Sequence, residues 1–386
     1  MQPNGVSIVD APGLAAGPLI TDAGLVWESS QGVMLTDPAG GSKVLAPLDA
    51  HNGDGFVDLA WFGVDQWALA RPSGVFAGQI GGALSELRPL RKCNPGSPAT
   101  PPGAAMYALS RGHLFAALPE PCFPTSKAPL GVVLDINLDS RHSRVLARIP
   151  GTLDGVAASG RYVALAYSSP PLGLITPPSS RTPSQEPRLF VRVLDAGTGA
   201  VVNQIPAPAS LKEYGASAIQ VDGRGDVLVT SGCDAVSPRQ LAHIAQPACP
   251  TTWWWARARS AMGHQTTLGS DAVLSAGRVA FLASAGVGID VRDLLDGTTR
   301  TVVAFSGSVS PVYGGLALSG TRLVWAQQST VVNVVNTADS ESCSRVPLSP
   351  VELASLDLSG MPSSPILMTG LPIPPQYANE PGCIEV

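Results

Sequence analysis

A short unit recurs along this chain and constrains its fold more than any other feature. A glycine-bearing turn runs into a brief apolar strand that ends in small or polar residues. The unit reads DAGLVWESS at 22–30, FGVDQWALARP at 62–72, SRGHLFAALP at 110–119 and SGRYVALAYSS at 159–169. It continues as DGRGDVLVTS at 222–231, AGRVAFLAS at 276–284 and SGTRLVWAQQS at 319–329. The strand centres fall near Val26, Ala68, Phe115, Ala164, Leu228, Ala280 and Val324, at separations of 42, 47, 49, 64, 52 and 44 residues. A period of about 40–50 residues is that of propeller blades. The one long interval holds SSPPLGLITPPSSRTPSQEP at 168–187, which reads as a loop insertion.

The segments after these strands complete the same unit. LFVRVLDAGTGAVVNQIPAP (189–208), GIDVRDLLDGTTRTVVAFSG (288–307) and GVMLTDPAGGSKVLAPL (32–48) each alternate around a Gly- or Asp-rich reversal, the mark of a hairpin. No amphipathic run of ten or more residues lies between them, which excludes a parallel α/β sheet. The expected fold is therefore all-β: a β-propeller of about seven four-stranded blades, with six or eight also compatible with the spacing. One blade cannot bury both faces, whereas a ring of blades buries them against neighbours. Such a ring needs a clasp, and the alternating GVSIVDA at 5–11 is expected to complete the last blade. The expected domain is 1–348, with 349–386 a Pro-rich C-terminal tail packed on it.

Rhythm and turn chemistry across residues 13–348 resemble the WD-like (WD40-like) and TolB-like propeller repeats of bacterial exported proteins. No GH…WD pair and no kelch signature accompanies the resemblance, so it implies the fold and no subfamily. Propellers host enzymes, lectins and scaffolds alike.

Six cysteines, Cys93, Cys122, Cys233, Cys249, Cys343 and Cys383, sit in Pro- or Ser-containing loops such as KCNPGSP and EPCFPTS. None forms a CxxC pair. An even set in loops reads as disulfides, which persist outside the reducing cytosol. Six cysteines allow 15 pairings; the sequential one, Cys93–Cys122, Cys233–Cys249 and Cys343–Cys383, is favoured because each bridge closes a loop within or between adjacent repeats. The expected location is extracellular, at the cell surface or periplasmic. The first twenty residues lack a basic segment followed by an apolar core, so a leader for export would lie outside this sequence.

The formal net charge is −5 and charged residues make up 14% of the chain, with no basic run. Nucleic-acid binding is not expected. No apolar stretch reaches the roughly 18–20 residues of a membrane span. A monomer is expected.

HNGDGFVDLAW at 51–61 resembles the calcium loop of FG-GAP repeats. The resemblance implies Asn52, Asp54 and Asp58 as oxygen ligands and Gly55 at the bend. The family's first Asp is Ala50 here, and a polar turn feeding a strand from Val57 to Phe62 is the plainer reading. No other cofactor is implied. Arg224-Gly225-Asp226 matches an integrin-recognition tripeptide but reads as the turn before a strand. Trp253, Trp254 and Trp255 are consecutive, so a strand there sets Trp254 on the face opposite its neighbours. Trp254 is the candidate for stacking on a sugar ring or partner, against the alternative of packing between blades. His51, His113, His142, His243 and His264 are dispersed, and His113, His142, Arg141, Tyr167 and Arg161 are the set that a loop-built catalytic site would have to gather. The expected function is a binding or scaffold module presenting the insertions 93–105, 118–130, 168–187 and 233–252 to a protein or glycan. The alternative is a polysaccharide-active lyase or hydrolase with its site at the channel mouth.

Overall fold

The computed structural model describes residues 5–29, 31–47, 59–62, 65–71, 74–87, 106–118, 130–169, 188–206, 218–231, 252–260, 262–266, 269–283, 286–337, 340–360 and 363–372. The described residues hold thirty strands and no α-helix. They form seven small antiparallel sheets arranged as a seven-bladed β-propeller.

Strand β1 (Val6–Asp10) precedes the first blade. Blade one is β2 (Leu14–Thr21), β3 (Gly24–Ser29), β4 (Gly32–Thr36) and β5 (Ser42–Ala46). Blade two is β6 (Leu59–Phe62), β7 (Gln66–Arg71), β8 (Gly74–Gln79) and β9 (Ser85–Leu87). Blade three is β10 (Met106–Ser110), β11 (His113–Leu118), β12 (Leu130–Asn137) and β13 (Ser143–Pro150). Blade four is β14 (Thr152–Ser159), β15 (Tyr162–Ser169), β16 (Arg188–Asp195) and β17 (Val201–Pro206). Blade five is β18 (Ala218–Val221), β19 (Val227–Ser231), β20 (Thr252–Ala256) and β21 (His264–Thr266). Blade six is β22 (Gly269–Ser275), β23 (Arg278–Ala283), β24 (Gly288–Asp293) and β25 (Thr299–Ser306). Blade seven uses β26 (Val309–Ser319), β27 (Arg322–Thr337) and β29 (Glu352–Asp357), while β28 (Ser340–Pro347) pairs with the far half of β27.

The ring is closed by the chain's beginning. Strand β1 lies antiparallel to β29, with Val6 opposite Leu356 and Asp10 opposite Glu352, and is the outermost strand of blade seven. The chain beyond 348 is more than a tail, because β29 is the third strand of that blade, paired with β27. Strand β30 (Ile366–Thr369) then adds parallel to the outer edge of β25 in blade six.

The recurring unit of the sequence is the second strand of every blade. Its seven expected centres are buried: Val26, Ala68, Ala164, Leu228, Ala280 and Val324 at 0% exposure and Phe115 at 1%. Second strands read as nearly continuous apolar runs because both their faces meet neighbouring blades. Seven hydrophobic clusters fill the seven seams between blades, from Val26, Leu35, Trp67 and Leu69 between blades one and two to Trp27, Val324 and Ala326 between seven and one. Two of the buried indoles find acceptors: Trp27 Nε1 donates to Thr36 Oγ1 at 3.0 Å and Trp325 Nε1 to Gln327 Oε1 at 2.9 Å.

Candidate functional site: the channel mouth on the connection face

Strand order gives the ring two unlike faces. In each blade the first-to-second and third-to-fourth turns lie on one face, and the second-to-third turn and the passage to the next blade lie on the other. Every connection on the first, or turn, face is short. Examples are Ser110 to His113, Ser159 to Tyr162, Asp195 to Val201 and Ala256 to His264. On the other, or connection, face stand the strand ends that flank 119–129, 170–187 and 232–251, between second and third strands of blades three, four and five. The same face carries the strand ends that flank 48–58, 88–105 and 207–217 between blades, and the β27–β28 hairpin of blade seven. The four insertions singled out in the sequence thus leave and rejoin the scaffold on one face. Their own residues lie almost wholly outside those described.

The innermost strands are irregular where they start, at the channel mouth on this same face. Register shifts fall within Leu14–Leu19 of β2, between Leu153 and Gly155 of β14, between Ser270 and Val273 of β22 and between Pro311 and Leu316 of β26. A bulge breaks the ladder and re-aims a side chain, and bulges concentrate at rims and sites. Asp154 occupies the bulge of blade four. Its Oδ2 accepts a hydrogen bond from Ser168 Oγ at 2.6 Å, and burial pushes its carboxyl above the ordinary range despite that bond. Asp271 occupies the bulge of blade six with φ +52° and accepts a hydrogen bond from the Gly314 amide in the bulge of blade seven. Tyr313 beside it is 36% exposed. The mouth therefore carries a desolvated carboxyl on one blade and a carboxylate and phenol where two others meet. These groups suit hydrogen bonding to a polar ligand, and Asp154 suits proton donation.

The other residues raised by the sequence fall as follows. Asn52, Asp54, Gly55, Val57 and Asp58 lie outside the described residues; Leu59–Phe62, the rest of the strand expected after them, is β6. Among the described residues no three His, Cys, Asp or Glu side chains are grouped to hold a metal. Cys93, Cys122, Cys233, Cys249 and Cys383 also lie outside. The expectation that every cysteine sits in a loop is corrected at Cys343, whose backbone pairs with Val334 in β28.

Trp254 is not a stacking platform. It is 2% exposed and packs against Val191, Val193 and Ile205 of blade four, because β20 is the third strand of its blade and both its faces meet neighbours. The Arg224-Gly225-Asp226 segment is the turn between β18 and β19. Asp222 accepts from the amides of Arg224 and Asp226 at 2.8 and 3.0 Å and from Gly277 of blade six at 2.6 Å.

Of the histidine–arginine set, His113, Arg141, His142 and Arg161 share the turn face and Tyr167 stands apart from them. His113 Nδ1 lies 2.6 Å from Asp135 Oδ1, whose Oδ2 accepts from Arg144 Nε at 2.8 Å. Arg161 pairs with Asp195 at 3.0 Å. These groups stand on the turn face, whereas Tyr167 is buried toward the other end of β15, its hydroxyl accepting from Arg192 at 3.2 Å. His264 stacks on Trp255 at 4.5 Å. Sequence reasoning missed Asp154 and Asp271. Their signal was an acid within the first strand of a repeat (TLDGVAAS, GSDAVLS), where an apolar or small residue is the rule.

No family model matches the chain, and no curated protein matches it. Solved structures share its outline at low identity. A puromycin-hydrolyzing peptidase of Mycobacterium tuberculosis is 16% identical over 91% of this chain and 55% of its own, with a TM-score of 0.47. AztD of Citrobacter koseri is 13% identical over 89% and 90%, at 0.46. An oligogalacturonate lyase in complex with manganese is 10% identical over 93% and 91%, at 0.44. The chain spans about half the length of the peptidase and 43% of a prolyl endopeptidase that it also matches. Binding scaffolds and enzymes both stand among these likenesses, and none assigns an activity. No helix among the described residues is long and apolar enough to cross a membrane.

Proposed function

We propose that this chain is a binding module of an oxidising, extracytoplasmic compartment that holds a protein or glycan partner on its connection face. One observation carries the reading: every long connection joins the scaffold on that face, around a mouth whose inner strands are bulged. Recognition is usually built from loops held by a rigid ring. The even set of six cysteines supports the compartment.

The reading is tested with a glycan array and cross-linking to surface proteins, repeated on a variant in which 234–248 is replaced by a short Gly-Ser linker. Binding that the replacement abolishes supports it; binding that the replacement leaves intact overturns it. Non-reducing peptide mapping tests the compartment, and six alkylatable thiols would overturn that part. The desolvated carboxyl of Asp154 favours a second reading, a polysaccharide-active enzyme. Turnover in a polysaccharide screen that Asp154→Asn removes would replace the first reading with the second.

A further inference from the structure

The turn face carries a charge pattern that a linear reading of the sequence hides. On blades three, four and five the first-to-second turns present Arg111, Arg161 and Arg224, which stand 50 and 63 residues apart in the chain. The third-to-fourth turns and the strand starts beside them add Arg141, Arg144, Arg257 and Arg259. All seven are exposed, Arg144 at 48% and Arg161 at 62%. The acids of the same arc are mostly beneath the surface. Asp135, Asp222 and Asp226 are 3%, 3% and 5% exposed and Asp195 is 18% exposed, Asp135 and Asp195 being paired with Arg144 and Arg161, while Asp139 and, beside Arg141, Glu86 are at the surface. A chain of net charge −5 thus shows a cationic surface on one arc of one face.

The arc is continuous and stiff. Arg144 donates to the Ala196 carbonyl of blade four at 2.8 Å, and Asn203 of blade four donates to the Ser260 carbonyl of blade five at 2.8 Å. Nearer the channel, a guanidinium nitrogen of Arg111 lies beside Gly160, which itself abuts Gly223 of blade five. Arg111, Arg141 and Arg259 hold φ of +49°, +61° and +62°. Such positions ordinarily select Gly or Asn. The turns impose these conformations, since Ala276 of blade six takes the place of Arg111 at φ +51° and Gly199 and Gly297 take that of Arg141, so arginine meets a backbone cost there that glycine would not. All seven are arginine and none lysine, the choice that suits planar, bidentate contact with a carboxylate.

Apolar anchors stand within the same turns. Met262 is 71% exposed three residues after Arg259, and Val201 is 55% exposed at the start of β17. Arginine and methionine are the residues enriched in protein interfaces. Base stacking would require exposed aromatic platforms, and the ring of Tyr162 is covered by the Arg161 guanidinium 5.4 Å above it.

We propose that the turn face of blades three to five docks an acidic protein segment carrying a bulky apolar side chain. Its carboxylates pair with the arginine arc and its apolar residue rests on Met262 and Val201. The site is separate from the connection face and stands or falls independently of it.

The test uses the full chain and a fluorescent twelve-residue peptide of alternating Glu and Leu, read by anisotropy. Heparin, single-stranded DNA and phosphatidylserine vesicles serve as competitors. Binding is expected to weaken about tenfold on replacing Arg111, Arg161 and Arg259 together by Gln, and to fall as salt rises. Met262→Ser is expected to weaken it by about threefold. Arg300→Gln, a charge removed from blade six, is expected to leave it unchanged, which separates a local site from net charge. Absence of peptide binding at 100 µM, or equal binding by the triple variant, overturns the site. Heparin, DNA or vesicles that bind more tightly than the peptide, with the same loss in the triple variant, overturn the protein class of the partner.

Discussion

Trp254 and Trp255 are neighbours in β20 yet fill opposite seams of the ring. Trp254 packs among Val191, Val193 and Ile205 of blade four, and Trp255 packs with Leu274, Val279 and Phe281 of blade six. Two adjacent side chains thereby bond three blades together, because a strand turns consecutive residues to opposite sides.

Trp254→Ala is expected to cost about 3–5 kcal/mol in a denaturant titration, the range for truncating a buried aromatic. Gly263→Ala tests the same packing from the other side. A methyl there would overlap the indole of Trp254, so a loss of about 1–3 kcal/mol is expected from overpacking. A neutral result for either would contradict the seam.

Deleting residues 1–11 is expected to lower the thermal midpoint. Val6 is 6% exposed and Ala11 fully buried, and the deletion also strips five paired positions from the edge of β29. The loss should be at least about 2 kcal/mol, the worth of burying one valine. An unchanged midpoint would show that β1 does not close the ring in solution.

The connection between blades three and four is Gly151 alone, with φ +154° and no room for a side chain against the Ser168 carbonyl. Gly151→Ala is expected to destabilise by more than about 1 kcal/mol, since the substituent meets backbone that cannot swing away. Gly360→Ala, where nothing lies near and φ is ordinary, is the control.

Stability should depend on pH through Asp154. Burial raises its folded carboxyl above the unfolded value, so the folded state binds more protons across that window. Stability therefore falls as pH rises from about 4 through the raised folded pKa. Asp195, held low chiefly by the Thr198 amide, acts in the opposite sense, its stabilisation lost as pH falls below about 4. The urea midpoint of the wild type should decline on the alkaline side of pH 4, and Asp154→Asn should flatten that decline. Parallel profiles would remove Asp154 as the cause.

The sequence made the blades legible because second strands, apolar on both faces, recur at the blade period; Val26 through Val324 marked all seven. The hairpins at 32–48, 189–208 and 288–307 were equally plain, being alternating strands about Gly or Asp turns. Trp254 misled because exposure of an alternating strand was judged as if one face met water, whereas a third strand in a ring meets neighbours on both. Cys343 misled because small polar residues around it look like a loop until β27 extends far enough to pair with them. Asp154 and Asp271 were hidden because a bulge leaves no periodic trace in the sequence. The arginine arc was hidden for a different reason: its members come from turns and strand starts of three repeats far apart in the chain, and only the packing of blade on blade brings them to one face.

Closure by β1 has a bearing on how the protein is made. The strand that receives it, Glu352–Asp357, is synthesised only after the other six blades. Val6–Asp10 must therefore persist as an unpaired, partly apolar edge while six blades assemble behind it, and an edge of that kind invites pairing with other chains. The interval between synthesis of β1 and of β29 is a period of exposure to aggregation, and folding helpers would act to effect within it.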